Sequence, residues 1–230
     1  MNGDLLVRTI ALVLIRKTGR DVKLDPNLSS LQIAAEVSRR SVAMFRGMVT
    51  LCGPVFRGRG VRLRARRNLS FGRGASIGDF TVIDARASRP VEIGSASKLG
   101  RYGLVTTTSS LALVGVGFKM GERSGIGDFF HIGCSGGVDI GDDVIAGPFL
   151  TVHSQEHRYS DVSTKIRAQG TVESSVTVMD DCWLGSRVTI LAGTTIRGHT
   201  VVASGSVVKG DFPPNVVLGG VPARILKTLD

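Results

Sequence analysis

Residues 151–161 read TVHSQEHRYSD, which places His153 and His157 four positions apart with Glu156 between them. Only two other histidines occur in the chain, His131 and His199, so this spacing is where chemistry is worth seeking. A neutral imidazole can take a proton from a hydroxyl near neutral pH, and a carboxylate beside it can fix its tautomer. Two imidazoles can also hold a zinc ion. The same residues on a loop can equally be solvated surface. The choice depends on the elements that carry them.

At 230 residues the chain is long enough to bury a sizeable core, and 42% hydrophobic content with a mean hydropathy of +0.18 fits an ordered globular protein. Glycine is abundant at 30 residues and aromatics are scarce at 5%, which implies many tight turns. Cys52, Cys134 and Cys182 lie far apart with no C-x-x-C pair. They are expected to be reduced, mostly buried thiols of a cytoplasmic protein.

The net charge of +10 is concentrated at one end. Residues 1–70 hold 14 of the 29 Lys+Arg but only 4 of the 19 Asp+Glu, including RGRGVRLRARR at 57–67, and the remainder is balanced. Such a region can meet nucleic acid, an acidic membrane surface or an anionic substrate, or stand as a solvated basic face. No nucleic-acid module is recognisable elsewhere, so no nucleic-acid partner is expected. The opening LLVRTIALVLIRKTGR is apolar but carries Arg8 and Arg16, leaving too short an uncharged run to span a bilayer. It is expected to pack on the domain or lie on a membrane as an amphipathic helix. In LSSLQIAAEVSRRSVAMFRGM, Ser29 or Ser30 can cap a helix that places Leu31, Ala34, Ala35, Val42 and Phe45 roughly on one face.

From about residue 54 to 218 the pattern changes to short β-branched runs punctuated by glycine. Between 178 and 208 an aliphatic residue recurs every six positions: Val178, Leu184, Ile190, Ile196, Val202 and Val208. Four residues after each of the first five stands a small or β-branched one: Cys182, Val188, Thr194, Thr200 and Ser206. Neither the helical period of 3.6 nor the strand period of 2 gives a six. A coil with three flat sides of six residues does, with each aliphatic pointing inward onto its equivalent one coil away, as Leu184 on Val202. Such coils pair their backbones as parallel β and form a solenoid. IGDFTV at Ile77, IGDFFH at Ile126 and IGDDVI at Ile140 repeat the phrase upstream, with a phase slip between Ile132 and Ile140 and an irregular stretch over 85–125. Glycine after the aliphatic is expected to serve corners with an unusual backbone angle. Residues 153–175 interrupt the pattern and read as a loop thrown out from the coil, with His153 and His157 where it leaves.

These repeats, the histidine-bearing loop, DDCWLGSRVTILAGTTIRGHTVVASGSVVKGDFPPN and the closing GGVPAR resemble the left-handed β-helix, hexapeptide-repeat acetyltransferases. GPFLTVHSQEHRYSD followed by TKIRAQG is most similar to the O-acetyltransferases of bacterial polysaccharide assembly, of colanic acid, capsule and O-antigen type. The maltose and galactoside acetyltransferases are more distant relatives. The resemblance is good over 126–227, loose over 55–125, and matches nothing specific over 1–50. It implies an all-β fold: a left-handed parallel β-helix of about eight or nine coils over 54–218, a basic, largely helical N-terminal segment over 1–53 and a short C-terminal tail over 219–230. It also implies acetyl-CoA as co-substrate without a required metal, and a sugar or glycan acceptor. The family implies a homotrimer with sites at subunit interfaces.

By the same resemblance the loop histidine about ten residues beyond Gly147-Pro148 is the general base, which selects His157. Glu156 then either holds the imidazole tautomer or is solvated. His153 and His131 either contact the acceptor or support the structure, and His199 is expected at a surface corner. For CoA the resemblance carries over to Trp183, Ser186, Ser204, Lys209 and Arg224. Trp183 would cover the pantetheine arm or enter the core. Ser186 and Ser204, eighteen residues apart, would share one edge, and Lys209 and Arg224 would meet phosphates. Lys209 stands one position away from the lysine of the relatives' V-T-K-D.

Two other readings fit parts of the pattern. Some left-handed β-helices hold zinc through three histidines and hydrate carbon dioxide, and His131, His153 and His157 form a superficially similar set. Their pair is H-x4-H, whereas His153 and His157 are H-x3-H. A β-helix used only as a scaffold, its basic end on the inner face of a membrane, is the non-catalytic alternative.

Overall fold

The computed structural model describes residues 7–9, 11, 24–51, 53–107 and 113–230. Cys52, most of the apolar opening segment and residues 108–112 of the irregular stretch lie outside the described residues. The chain forms a left-handed parallel β-helix. Among the described residues its three faces hold nine, seven and seven strands, and apart from the last strand of the first face, which turns back antiparallel, successive strands on each face come from successive coils. The first face begins at Phe56–Arg57, the second at Arg62–Arg64 and the third at Leu69–Phe71. Seven complete coils result, fewer than the eight or nine expected. The chain spends residues outside the six-residue pattern, at the corners after Asp84 and Thr106 and over 154–175.

The predicted column of aliphatics is the core. Leu184, Ile190, Ile196 and Val208 are fully buried, and Val178 and Val202 nearly so. Leu184 lies in register with Val202, and Ile190 with Val208. Cys182, Val188, Thr194, Thr200 and Ser206 are also buried, filling the corners. Their polar members are satisfied by backbone: Thr194 Oγ1 donates to the Val208 carbonyl, and Ser206 Oγ to that of Ala203. Burial pushes the Cys134 and Cys182 thiols up, so neither is a ready thiolate.

The corner glycines serve a different purpose from the one expected. Gly127, Gly147 and Gly185 do not have positive φ. A Cβ on Gly127 would lie 2.5 Å from the Pro148 nitrogen, on Gly147 2.7 Å from that of Ser186, and on Gly185 2.6 Å from that of Ser204. Crowding between neighbouring coils, not backbone angle, excludes a side chain there. The left-handed turn falls two residues later, on Phe80, Tyr102, Phe129, Phe149 and Arg187, with φ of 54–62°. Non-glycine residues rarely adopt this conformation, so each turn must be held by its coil neighbours. The four rings stack at 5.1–5.4 Å between centroids, and the Arg187 guanidinium caps the stack 5.1 Å from Phe149.

The helix α1 (Ser30–Leu51) leads directly into the coils, and the described residues 7–9 and 11 before it are also helical. Ser29 caps it: its Oγ accepts from the Gln32 N–H, while the Gln32 side chain accepts from the Ser29 N–H. Ile33, Ala43 and Gly47 are buried, with Gly47 against Val55 of the first coil, whereas Leu31, Val42 and Phe45 are exposed. The sequence placed the last three on one face, and that face is the outer one. At the other end, residues expected as a tail include the strand Ala223–Thr228, which turns back at Val221-Pro222 and pairs antiparallel with Val216–Gly220. This strand ends the first face.

The inward and outward residues of one strand give a direct test. Leu184→Ala should lose about 2–5 kcal/mol of stability in denaturant unfolding. Trp183→Ala, whose indole is 57% exposed on the same strand, should stay within about 0.5 kcal/mol. Equal losses would contradict the assignment of the core.

Candidate active site

The interruption at 154–175 is an arm on a defined neck. Ser154 is fully buried, its Oγ donating to the Gly133 carbonyl and accepting from the Gly136 N–H. The Ser174 N–H donates to the Ser154 carbonyl at 3.0 Å, so the chain re-enters the coil beside the point where it left. Beyond the neck, Gln155–His157 and Thr171–Glu173 pair antiparallel, with Glu156 opposite Val172 and His157 opposite Thr171. The Gln155 amide binds Thr171 Oγ1 at 3.0 Å and Glu173 Oε1 at 2.9 Å, stiffening the base of the arm. Farther out, the Gln169 amide bonds the carbonyls of Asp161 and Thr164.

Alternation along this strand separates Glu156 from His157. Both Glu156 carboxylate oxygens accept from Lys209 Nζ, at 2.8 and 2.9 Å, tying the arm to the last complete coil. Glu156 therefore faces Lys209 and not an imidazole, and Lys209, expected on a CoA phosphate, is here engaged by the arm. His157 is exposed on the same strand.

The other two candidate histidines meet on the second face. His131 and His153 come from adjacent coils, on paired strands that set Gly133 opposite His153. Their rings lie edge to face with centroids 5.5 Å apart. A Cβ on Gly133 would stand 3.8 Å from the His131 ring and 3.9 Å from His153 Nδ1, so glycine forms the floor between them. Thr106 Oγ1 lies 3.4 Å from His131 Nε2. A cavity of about 140 Å³, lined by Thr106, His131, Gly133, His153, Ser154 and Gln155, opens here at the foot of the arm. Burial first, and then His153, hold the His131 imidazole below its ordinary range, which favours its neutral form. Among the described residues no three His, Cys, Asp or Glu side chains converge as a metal site.

The residues expected at CoA lie on two edges and one face. Ser186 and Ser204 stack on the corner between the first and second faces, the Ser186 N–H donating to Ser204 Oγ at 3.1 Å. Trp183 projects from the first face between Ile145 and Val201 and does not enter the core. Arg224 is exposed on the last strand, its guanidinium bonded to the Ala223 carbonyl. His199, at its corner, lies 2.6 Å from Asp181 and away from the arm. Thr106, Gly133 and Gln155 of the cavity were not singled out by sequence. The phase slip after Ile132 was the only local signal that the coil changes there.

No protein-family model matches the chain. A probable acetyltransferase of Mycobacterium tuberculosis is 29% identical over 178 residues, 76% of this chain and 50% of that protein. The putative lipopolysaccharide biosynthesis O-acetyl transferase WbbJ of Escherichia coli is 38% identical over 109 residues, 44% of this chain and 56% of that one. The galactoside O-acetyltransferase of Escherichia coli is 37% identical over 94 residues, 40% of this chain and 45% of that one. The chain spans about half the length of these relatives. Among solved structures, a variant of AntD, an N-acyltransferase from Bacillus cereus, in complex with dTDP and coenzyme A, has a TM-score of 0.50 at 17% identity, covering 81% of this chain and 88% of that one. That likeness shows the fold.

Two measurements test the site's geometry. Lys209→Gln or Glu156→Gln should speed hydrogen exchange across 155–173 while leaving global stability within about 1 kcal/mol, the usual limit for an exposed ion pair; unchanged exchange would remove the tether. The depressed His131 makes the unfolded chain the better proton binder just below the ordinary histidine value of 6.5. Stability should therefore fall as pH drops below about 6.5 and level off beneath the folded-state pKa. His131→Asn should flatten that fall, and an unaltered pH profile would contradict the assignment.

Proposed function

We propose that the chain is an acetyl-CoA-dependent O-acetyltransferase acting on a hydroxyl of a sugar or polysaccharide precursor, with His157 as general base. The observation that carries this reading is the arm. A rigid solenoid holds an inserted hairpin by its neck and by Lys209, and the hairpin offers an exposed imidazole outward. Similarity to proteins named galactoside and lipopolysaccharide O-acetyltransferases supports oxygen as the acceptor atom.

In this reading the acceptor hydroxyl oxygen attacks the acetyl carbonyl carbon while His157 takes its proton. The tetrahedral intermediate collapses, the carbon–sulfur bond breaks, and the proton passes from the imidazolium to the departing sulfur. The products are an O-acetyl ester and free CoA. His131 and His153 floor the acceptor side, neutral His131 being able to donate or accept a hydrogen bond without adding charge. Ser186 and Ser204 offer an edge for the pantetheine arm, with Trp183 and Arg224 beyond it. Because His157 faces outward, the site is completed by a neighbouring copy in a homotrimer. The protein works at the cytoplasmic side on a lipid-linked glycan, which is where a basic N-terminal region has use.

Thiol release from acetyl-CoA, measured over a panel of sugars, amino sugars and lipid-linked glycans, tests the proposal. His157→Ala should lose roughly 10²-fold or more in kcat with an active acceptor. His153→Ala should act mainly on acceptor KM. If His153→Ala is the inactive variant, the base is the other histidine; if no acceptor turns over and acetyl-CoA does not bind, the transferase reading fails.

A further inference from the structure

The outer stripe of α1 is apolar and uncovered. Leu31, Val42, Phe45 and Val49 recur at helical spacing and are 80%, 45%, 68% and 66% exposed, with Met48 beside them at 55%. The inner stripe is spent on the solenoid, where Gly47 lies against the Val55 carbonyl and Arg40 stands 4.8 Å over the Phe56 ring. Five large apolar side chains on one helix face are thus left to water.

The border of this stripe carries charge of one sign. Arg46, next to Phe45 in sequence, is carried on the helix that packs on Phe56–Arg57, and the Arg57 guanidinium is held below its ordinary range by burial first and then by Arg66 and Arg46. Arg57 Nη2 donates to the Val61 carbonyl, but its buried Nε has no hydrogen-bond partner. Among the described residues no carboxylate forms an ion pair with Arg46, Arg57, Arg62, Arg66 or Arg67. Asp84 is already held by Arg86 at 2.6 Å, with Arg64 at 3.4 Å, and Asp79 accepts from the Arg59 N–H at 2.7 Å. An apolar stripe thus adjoins a group of guanidiniums whose counter-charge the described residues do not supply.

We propose that the outer stripe of α1 and the arginine end of the first coil form one docking surface for an anionic lipid bilayer. Leu31, Phe45 and Val49 would enter the boundary between headgroups and acyl chains, with α1 parallel to the surface. Arg46, Arg57 and Arg66 would lie at the lipid phosphates, which accept from guanidinium N–H groups. Apolar insertion beside a dense field of negative charge matches both halves of the surface, and one bilayer supplies both. The proposal deepens the reading of the acceptor as lipid-linked but rests on none of the transfer chemistry, so the two fail separately.

The test is co-sedimentation of the full chain with vesicles of phosphatidylcholine mixed with phosphatidylserine, against vesicles of phosphatidylcholine alone. Wild type should sediment with the mixed vesicles and release as salt is raised. Arg46→Glu and Arg66→Glu should each weaken binding at least about fivefold, and Phe45→Ser roughly tenfold or more. All three positions are at the surface, so circular dichroism should be unchanged, and Phe45→Ser should acetylate a soluble sugar as wild type does. Equal sedimentation with both vesicle types, or variants that bind as wild type, would overturn the proposal. So would a change of solution mass in Phe45→Ser with lipid binding intact, which would make the stripe a contact between copies.

Discussion

Hydrogen bonding between successive coils is the constraint on which the rest of this structure depends. Each strand has only two or three residues on most faces, too few to form a sheet alone, and gains its partners from the coils before and after. Pairing in register brings backbones so close at the corners that Gly127, Gly147 and Gly185 have no room for a Cβ. The same register sets each inward aliphatic on the next and each outward residue at a fixed repeat. Side chains far apart in sequence are thereby lined up without any contact of their own having to find them. Ser186 above Ser204 and His131 beside His153 both follow from it.

The arm uses that constancy. Its neck is fixed by Ser154, buried and bonded to the coil below, and its outer strand is fixed by the Glu156–Lys209 pair. Between those holds, strand alternation turns Glu156 inward and His157 outward. An imidazole on such a mount is positioned by the scaffold and not by its immediate neighbours. The His131–His153 pair is built oppositely, half enclosed on the face itself with a glycine floor.

How much of this could be read from the chain follows from the same physics. The six-residue period from Val178 to Val208 is a property of local sequence, so the solenoid and its core were legible. The role of the corner glycines was not, because their crowding comes from residues a coil away, such as Ser186 at Gly147. The left-handed positions, Phe80, Tyr102, Phe129 and Phe149, carry no glycine to announce them. Lys209 and Glu156 are 53 residues apart, and nothing in either segment points to the other. The slip after Ile132 marked a change of phase but could not show that it sets His153 opposite Gly133. α1 illustrates a further limit: its apolar spacing identified a helix face correctly, yet spacing alone does not say whether the facing medium is protein.

The neck at Ser154 and Ser174 separates two jobs that many enzymes must solve together. The solenoid registers these two serines as neighbours, whatever lies between them, since the bond that joins them and the corner beneath are complete without the arm. The insertion works as a tool in a socket: its length and side chains can drift while the handle keeps its shape. What the arm presents to its surroundings can then change at little risk to the fold that holds it.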